Sequence, residues 1–209
     1  VVDLPLPLDP LTTTLAATIN YLNGRESRHV VTIEDPIEYI YSDMKCTIIQ
    51  REIGNDTLSF AEALRRVLRH DPDVILVGEM RDLETVSAVL TIAETGHLVL
   101  TTAHAPSASQ AIERIVDLFP PHERHLAQSR LAFLLLGVLC QTLVPRAEVS
   151  GRIPAVEIML ATSAVRNLIR EGKIYQLPSA IRTQARQGME LFDQVLVNLY
   201  RKGTISSEN

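Results

Sequence analysis

Asp71-Pro72-Asp73-Val74-Ile75-Leu76-Val77-Gly78-Glu79-Met80-Arg81-Asp82 is the stretch on which the fold turns. An uninterrupted aliphatic run, entered from an acid and left at glycine and glutamate, reads as a strand buried on both faces of a parallel sheet. Aliphatic strand followed by acid is also the Walker-B pattern, in which the carboxylate holds Mg²⁺ directly or through water and orients an attacking water. A single strand of this kind occurs in many proteins, so its neighbours decide what it means.

Upstream, His29 to Ile33 is a short β-rich run ending at Glu34-Asp35-Pro36, with Glu38 close behind. Thr47 to Gln50 is a second such run, and Ser59 to Arg69 has helical spacing of Phe60, Leu64, Val67 and Leu68, with Ser59 as cap. Downstream, Leu83 to Ala93 reads as a helix stopped at Gly96, and His97 to Thr102 as another apolar strand leading to His104. Strand ends thus carry three polar groups: Glu34, Asp35 and Glu38; Glu79, Arg81 and Asp82; His97 and His104. Ligands of open α/β sheets bind outside the carboxyl ends of the strands, so these groups are expected to converge on one crevice. A second carboxylate there can act as general base. Acids gathered at one crevice repel one another without a cation, so Mg²⁺ is expected.

The remainder of the chain extends the α/β reading. Thr12 to Leu22, Ser107 to Leu118 and His122 to Leu136 are expected helices. Leu139 to Val144 and Ile153 to Leu160 are expected strands flanking a turn at Val149-Ser150-Gly151, and Ala164 to Arg170, Ser179 to Ala185 and Phe192 to Lys202 are short amphipathic helices. Alternating strands and helices followed by helices alone predict an α/β core over 12–160 and a helical C-terminal lobe over 161–209.

Composition narrows the function classes. The chain has 209 residues, 46% hydrophobic and 22% charged, as a soluble globular protein does. A net charge of −5 and 4% aromatic residues argue against a nucleic-acid translocase. Cys46 and Cys140 stand alone, with no CxxC pair, so no structural zinc is expected and a reduced, cytoplasmic setting fits. The longest apolar run, Leu131 to Leu139, is far short of the roughly 20 residues that span a bilayer and is expected to be buried as helix or strand. No signal peptide is visible.

Taken in order, these motifs resemble those of the type II secretion and type IV pilus ATPases. Val31 to Glu38 resembles their Asp box, Asp71 to Asp82 their Walker B, and Ala93 to His97 through His104 their His box. Ala164 to Glu171 resembles a helix motif of the pilus retraction branch, and Gly188-Met189 and Asp193-Gln194 fit as well. The resemblance implies a RecA-like P-loop NTPase core and a hexameric ring that hydrolyses ATP with Mg²⁺. It further implies that the ring retracts type IV pili at the cytoplasmic face of the inner membrane, against a pilus platform protein. It makes Glu38 the general base, Glu79 the Walker-B carboxylate and Thr12 the hydroxyl that binds Mg²⁺ with Glu79. Thr13, Glu34, Asp35 and Arg81 fall to nucleotide and Mg²⁺ binding, and His97 and His104 to sensing phosphate and the neighbouring subunit. Val165, Arg166, Asn167, Leu168, Ile169, Arg170 and Glu171 fall to coupling hydrolysis to pilus disassembly.

The sequence departs from the family pattern at one place. A phosphate loop reads GxxxxGK[ST], with glycines whose amides cradle phosphate and a lysine that neutralises it. Counting back from Thr12, that loop should be Pro5 to Leu11, which has no glycine and carries Leu11 at the lysine position. Residues 1–11 therefore read as linker or as a remnant at that position. Either the chain is a truncated representation of a longer protein, or it is a degenerate form that does not hydrolyse; the intact downstream acids favour the first. The family's N-terminal PAS-like domain is likewise not in this chain. Extension and secretion ATPases of the family carry a four-cysteine zinc insertion between the regions of Val144 and Ile153. Here that segment, Pro145 to Arg152, has no cysteine, which favours retraction over assembly.

Overall fold

A computed structural model describes residues 10–147 and 150–206. The chain divides into two compact units, Val1–Ala103 and His104–Asn209.

In the first unit, α1 (Pro10–Asn23) leads into β1 (His29–Glu34) and β2 (Thr47–Glu52). Then come α2 (Phe60–Val67), β3 (Val74–Val77), α3 (Leu83–Glu94) and β4 (Leu98–Thr101). All four strands are parallel, in the order β2-β1-β3-β4. The two central strands are the aliphatic ones: β3 is buried throughout, and β1 from its second residue on. Both faces must therefore be covered. On one face, Leu15, Ile19 and Leu22 of α1 pack with Val30 of β1, Ile48 of β2, Val74 and Leu76 of β3, and Leu98 and Leu100 of β4. Pleating sends Val31, Ile33, Ile75 and Val77 to the opposite face. The chain runs from β1 outward to β2, then crosses to the other side of β1 for β3 and β4. The strand order therefore reverses between β1 and β3, which marks the topological switch point of the sheet.

Local signals explain the element ends. Ser59 Oγ accepts the Glu62 amide at 3.2 Å and caps α2. Asp82 caps α3, accepting from the Thr85 amide at 2.8 Å and from its hydroxyl at 3.1 Å, so this acid is a helix cap. Gly96, with φ 94°, ends α3 in the left-handed conformation that glycine adopts at no steric cost. Two expected boundaries move. The first helix begins at Pro10, whose missing amide hydrogen is harmless in a first turn. The second stops being α-helical at Val67 and finishes as a 3₁₀ turn, Leu68–His70.

The second unit holds α4 (Ala108–Asp117), α5 (Arg124–Leu134) and the antiparallel pair β5 (Gly137–Pro145) and β6 (Arg152–Leu160). The helices α6 (Ser163–Arg170), α7 (Leu177–Thr183) and α8 (Phe192–Arg201) follow. Val144, Ala155 and Ile205 form a small core with Phe192, Val195, Leu196 and Leu199 of α8. The expected turn between the strands is present in part: Ser150 and Gly151 are described, while Val149 lies outside the described residues.

The apolar run from Leu131 to Leu139 corrects an expectation. It is the end of α5 and the start of β5, and only its first two residues are buried. Phe133 is 78% exposed, Leu136 67% and Leu139 55%. Among the described residues no helix is long and apolar enough to cross a membrane.

Candidate functional site

The Glu34 carboxylate ends β1, and Glu79 follows β3 by one glycine, on neighbouring strands at the switch point. Both are buried, at 5% and 8% exposure. The Gly78 amide donates to the Ile33 carbonyl at 2.8 Å, extending the ladder to the edge where the two acids emerge. Thr102 holds the other side: its hydroxyl donates to the Gly78 carbonyl at 2.6 Å, and its carbonyl accepts from the Met80 amide at 3.2 Å. Glu79 pairs with the exposed Arg81 guanidinium at 2.5 Å, so Arg81 reaches back over its own strand end.

Glu34 is fully engaged. Its Oε1 accepts from the Thr32 hydroxyl at 2.6 Å and from Gln50 Nε2 at 3.3 Å, and the Glu38 amide bonds to its carboxylate as well. Burial pushes its carboxyl above the usual range, those three donors pull it back, and the nearby Glu38 charge pushes it up again. Burial, with Glu34 and Tyr39 nearby, likewise pushes the Tyr41 hydroxyl up.

Glu38 differs from both. It sits in the irregular 35–46 connection, and its Oε2 is buried with no hydrogen-bond partner. A buried carboxylate oxygen left unpaired is costly, so such an atom marks a place where a ligand or water belongs. Thr13, in the first turn of α1, bonds through its hydroxyl to the Tyr39 hydroxyl at 3.1 Å, tying that helix to the same connection. Thr12 lies beside it, half-buried. Asp35 is exposed.

Among the described residues no three His, Cys, Asp or Glu side chains are grouped closely enough to hold a metal ion by themselves. Mg²⁺ keeps several waters and takes one or two carboxylates together with substrate phosphates, so the buried acids at this edge fit a cation that arrives with a nucleotide. The stretch Pro5 to Leu11 reaches the described residues only at its end, where Pro10 and Leu11 open α1; residues 5–9 lie outside them.

The expectation that His97 joins this crevice does not hold within the first unit. His97 precedes β4, so it lies at the amino edge of the sheet, a strand length of roughly 13 Å from the carboxyl edge. Its Nδ1 is 2.9 Å from the Thr95 hydroxyl. His104 opens the second unit with a left-handed φ of 38°, and its carbonyl accepts from Arg114 Nη1 at 3.1 Å.

In α6, Val165 and Ile169 are fully buried, so two of the seven residues of that motif serve packing. Arg166 donates to the Ala161 carbonyl at 2.8 Å, to Ala132 at 2.7 Å and to Phe133, capping the C-terminus of α5. Asn167, Arg170 and Glu171 form an exposed chain, with Arg170 on Asn167 at 2.6 Å and Asn167 on Glu171 at 2.9 Å. Leu168 is half-buried.

Two residues at the first-unit site escaped the sequence reading. Gln50 and Glu52 lie opposite Thr32 and Glu34 across the β1–β2 pair. Gln50 Nε2 donates to the Tyr39 carbonyl at 2.7 Å, and its Oε1 accepts from the Tyr41 amide at 3.0 Å. Glu52 Oε2 accepts from the Ile37 amide at 3.0 Å. The only available signal was the polar run Gln50-Arg51-Glu52 that closes a strand with two isoleucines.

The family model described as Type II/IV secretion system protein matches residues 11–202. The type IV pilus retraction ATPase PilT of Pseudomonas aeruginosa is 52% identical over 197 residues, covering 94% of this chain and 57% of that protein. A twitching motility protein of Neisseria gonorrhoeae is 50% identical, covering 94% of this chain and 52% of that protein. The crystal structure of the pilus retraction motor PilT with bound ADP superposes with a TM-score of 0.87 at 46% identity, covering 94% of this chain and 55% of that one. The chain thus spans about half the length of the relatives it matches, and it shares the mixed α/β fold of the PilT structure.

Proposed function

Because the chain belongs to the type II/IV secretion system protein family, we propose that it is the motor portion of a hexameric ATPase that retracts type IV pili in twitching motility. The observation that carries this reading is the trio at the switch point: Glu34 and Glu79 on adjacent strand ends, and Glu38 with an unpartnered buried oxygen. MgATP is the substrate. Glu79 with Thr12 would hold Mg²⁺ through its water shell; Thr13, Glu34, Asp35 and Arg81 would shape the nucleotide site. Glu38 would take the proton of the attacking water, because its Oε2 alone among these acids' described oxygens is buried and unbonded. His104 would answer to phosphate, and His97, at the opposite edge of the sheet, to the neighbouring subunit. The 165–171 helix would couple hydrolysis to pilus disassembly at a platform protein on the cytoplasmic face of the inner membrane. Residues 12–160 would form the RecA-like core and 161–209 the C-terminal lobe.

Retraction is preferred to assembly because the link between β5 and β6, residues 146–151, contains no cysteine and so no zinc insertion. A second reading, a ring component that does not hydrolyse, is favoured by Leu11 in the place of the phosphate-loop lysine. Phosphate release by the intact protein with and without Mg²⁺, and by Glu38→Gln, separates the two. Loss of about 10²-fold or more in kcat on Glu38→Gln supports the motor reading. Absence of hydrolysis in the unmodified protein establishes the second reading, and hydrolysis indifferent to Glu38→Gln removes the base.

A further inference from the structure

We infer that Gln50 and Glu52 of β2 are positioning residues that fix Glu38 from both sides, an inference that rests on the reading of Glu38 as general base. The 35–46 connection is neither helix nor strand, so its backbone groups find no partners in a regular ladder. Those around Glu38 end instead on side chains of the two adjoining strands. The Ile37 amide, one residue before, goes to Glu52 at 3.0 Å. The Glu38 amide goes to Glu34. The Tyr39 carbonyl, one residue after, takes Gln50 Nε2 at 2.7 Å, and the Tyr41 amide takes Gln50 Oε1 at 3.0 Å.

The residue types are those this task needs. Gln50 faces one carbonyl and one amide hydrogen, which fixes the orientation of its amide group. A glutamate there would keep the acceptor and lose the donor; an asparagine would fall a methylene short. Gln50 also donates to Glu34 at 3.3 Å, so one side chain joins the Glu34 carboxylate to the segment carrying Glu38. Glu52 is itself held, by Asn55 on its other oxygen, and its own amide donates to Asp56 at 2.8 Å. The Glu38 backbone is therefore clamped on either side by a rigid sheet, while its Oε2 stays unbonded. A base must sit within hydrogen-bond reach of its proton, and a displacement of about 1 Å costs on the order of 10²-fold in rate.

The test is steady-state ATP hydrolysis by the intact protein, in a cycle of Gln50→Met, Glu38→Gln and the double variant. Gln50→Met keeps the volume and removes all three hydrogen bonds of the amide. The expected result is a kcat lower by roughly 10- to 100-fold with KM for ATP within about twofold. In the Glu38→Gln background the same change is expected to cost less than about twofold, because the group it positions is gone. A folded Gln50→Met with kcat within twofold overturns the inference, and so does an equal loss in both backgrounds, which means a general structural role. If circular dichroism shows Gln50→Met unfolded, Gln50→Asn takes its place under the same criteria. Should Glu38→Gln leave kcat intact, the general-base reading itself fails, and the inference falls with it.

Discussion

Glu157 of β6 is the buried carboxylate on which two helices of the second unit start, and replacing it should cost more than any other single polar change there. Its Oε1 accepts the Ala108 amide, the first of α4, at 2.7 Å; its Oε2 accepts the Phe192 amide, the first of α8, at 3.4 Å. The residue before α8, Leu191, offers no side-chain cap, so Glu157 supplies what the sequence around that helix lacks. A hydrogen bond to a charged group at 2.7 Å is worth about 1.5–3 kcal/mol, and the long one about 0.5 kcal/mol. Truncation also strips one buried methylene, about 0.8 kcal/mol. Glu157→Ala should therefore destabilise by about 3–4 kcal/mol. Glu157→Gln keeps the short bond but loses the negative charge that faces two helix N-termini, and should cost about 1–1.5 kcal/mol. Urea unfolding gives the totals, and amide hydrogen exchange locates them, with protection falling at the first turns of α4 and α8 together. A Glu157→Ala cost below 1 kcal/mol, or exchange unchanged at both helix starts, would refute the reasoning.

Two further outcomes follow from the same structure. Burial raises the folded-state pKa of Glu34 above its unfolded value near 4.3, so its stability contribution is complete below that pH and is lost as pH rises through the folded value. Without nucleotide or Mg²⁺, the Tm of Glu34→Gln should gain on that of the unmodified protein between about pH 4 and 7, and a flat or falling difference counts against it. The Cys140 thiol, paired across the strands with Glu157, is pushed up to about 12 by burial and then by that carboxylate. It should resist iodoacetamide at pH 8 until the protein is denatured, and native alkylation detected by mass spectrometry would show the side chain to be open.

Much of the first unit was legible because its signals are local. Val74 to Val77 is aliphatic without interruption, and only a doubly covered central strand wants that pattern. Ser59 and Gly96 punctuate their helices through local contacts, whereas Asp82, read with the strand-end acids, turns out to cap α3. What a linear reading could not see is direction across the sheet. His97 adjoins a strand just as Glu79 does, but it precedes β4 whereas Glu79 follows β3, and parallel strands put those positions on opposite edges. The exposure of Phe133, Leu136 and Leu139 was hidden for a similar reason. An apolar run predicts burial only if one element carries it, and here it turns from helix to strand partway. Gln50 and Glu52 were illegible because their partners, Ile37, Tyr39 and Tyr41, lie on a segment with no pattern of its own.

That last point bears on how the acids at the switch point divide their work. Glu34 has a carboxylate filled by donors from Thr32, Gln50 and the Glu38 amide, so it serves the site by holding other groups still. Glu79 is paired with Arg81 at the end of a central strand, a position that suits it to a cation's water shell. Glu52 spends one oxygen on Ile37 and the other on Asn55. Glu38 is flanked by backbone groups held by Glu52 and Gln50, and its Oε2 is left unbonded and out of water. A purely structural acid would be expected to show the reverse, a satisfied carboxylate on an unremarkable backbone. The fixed backbone and the unspent oxygen together are what a general base requires: a defined position and a lone pair still free to take a proton.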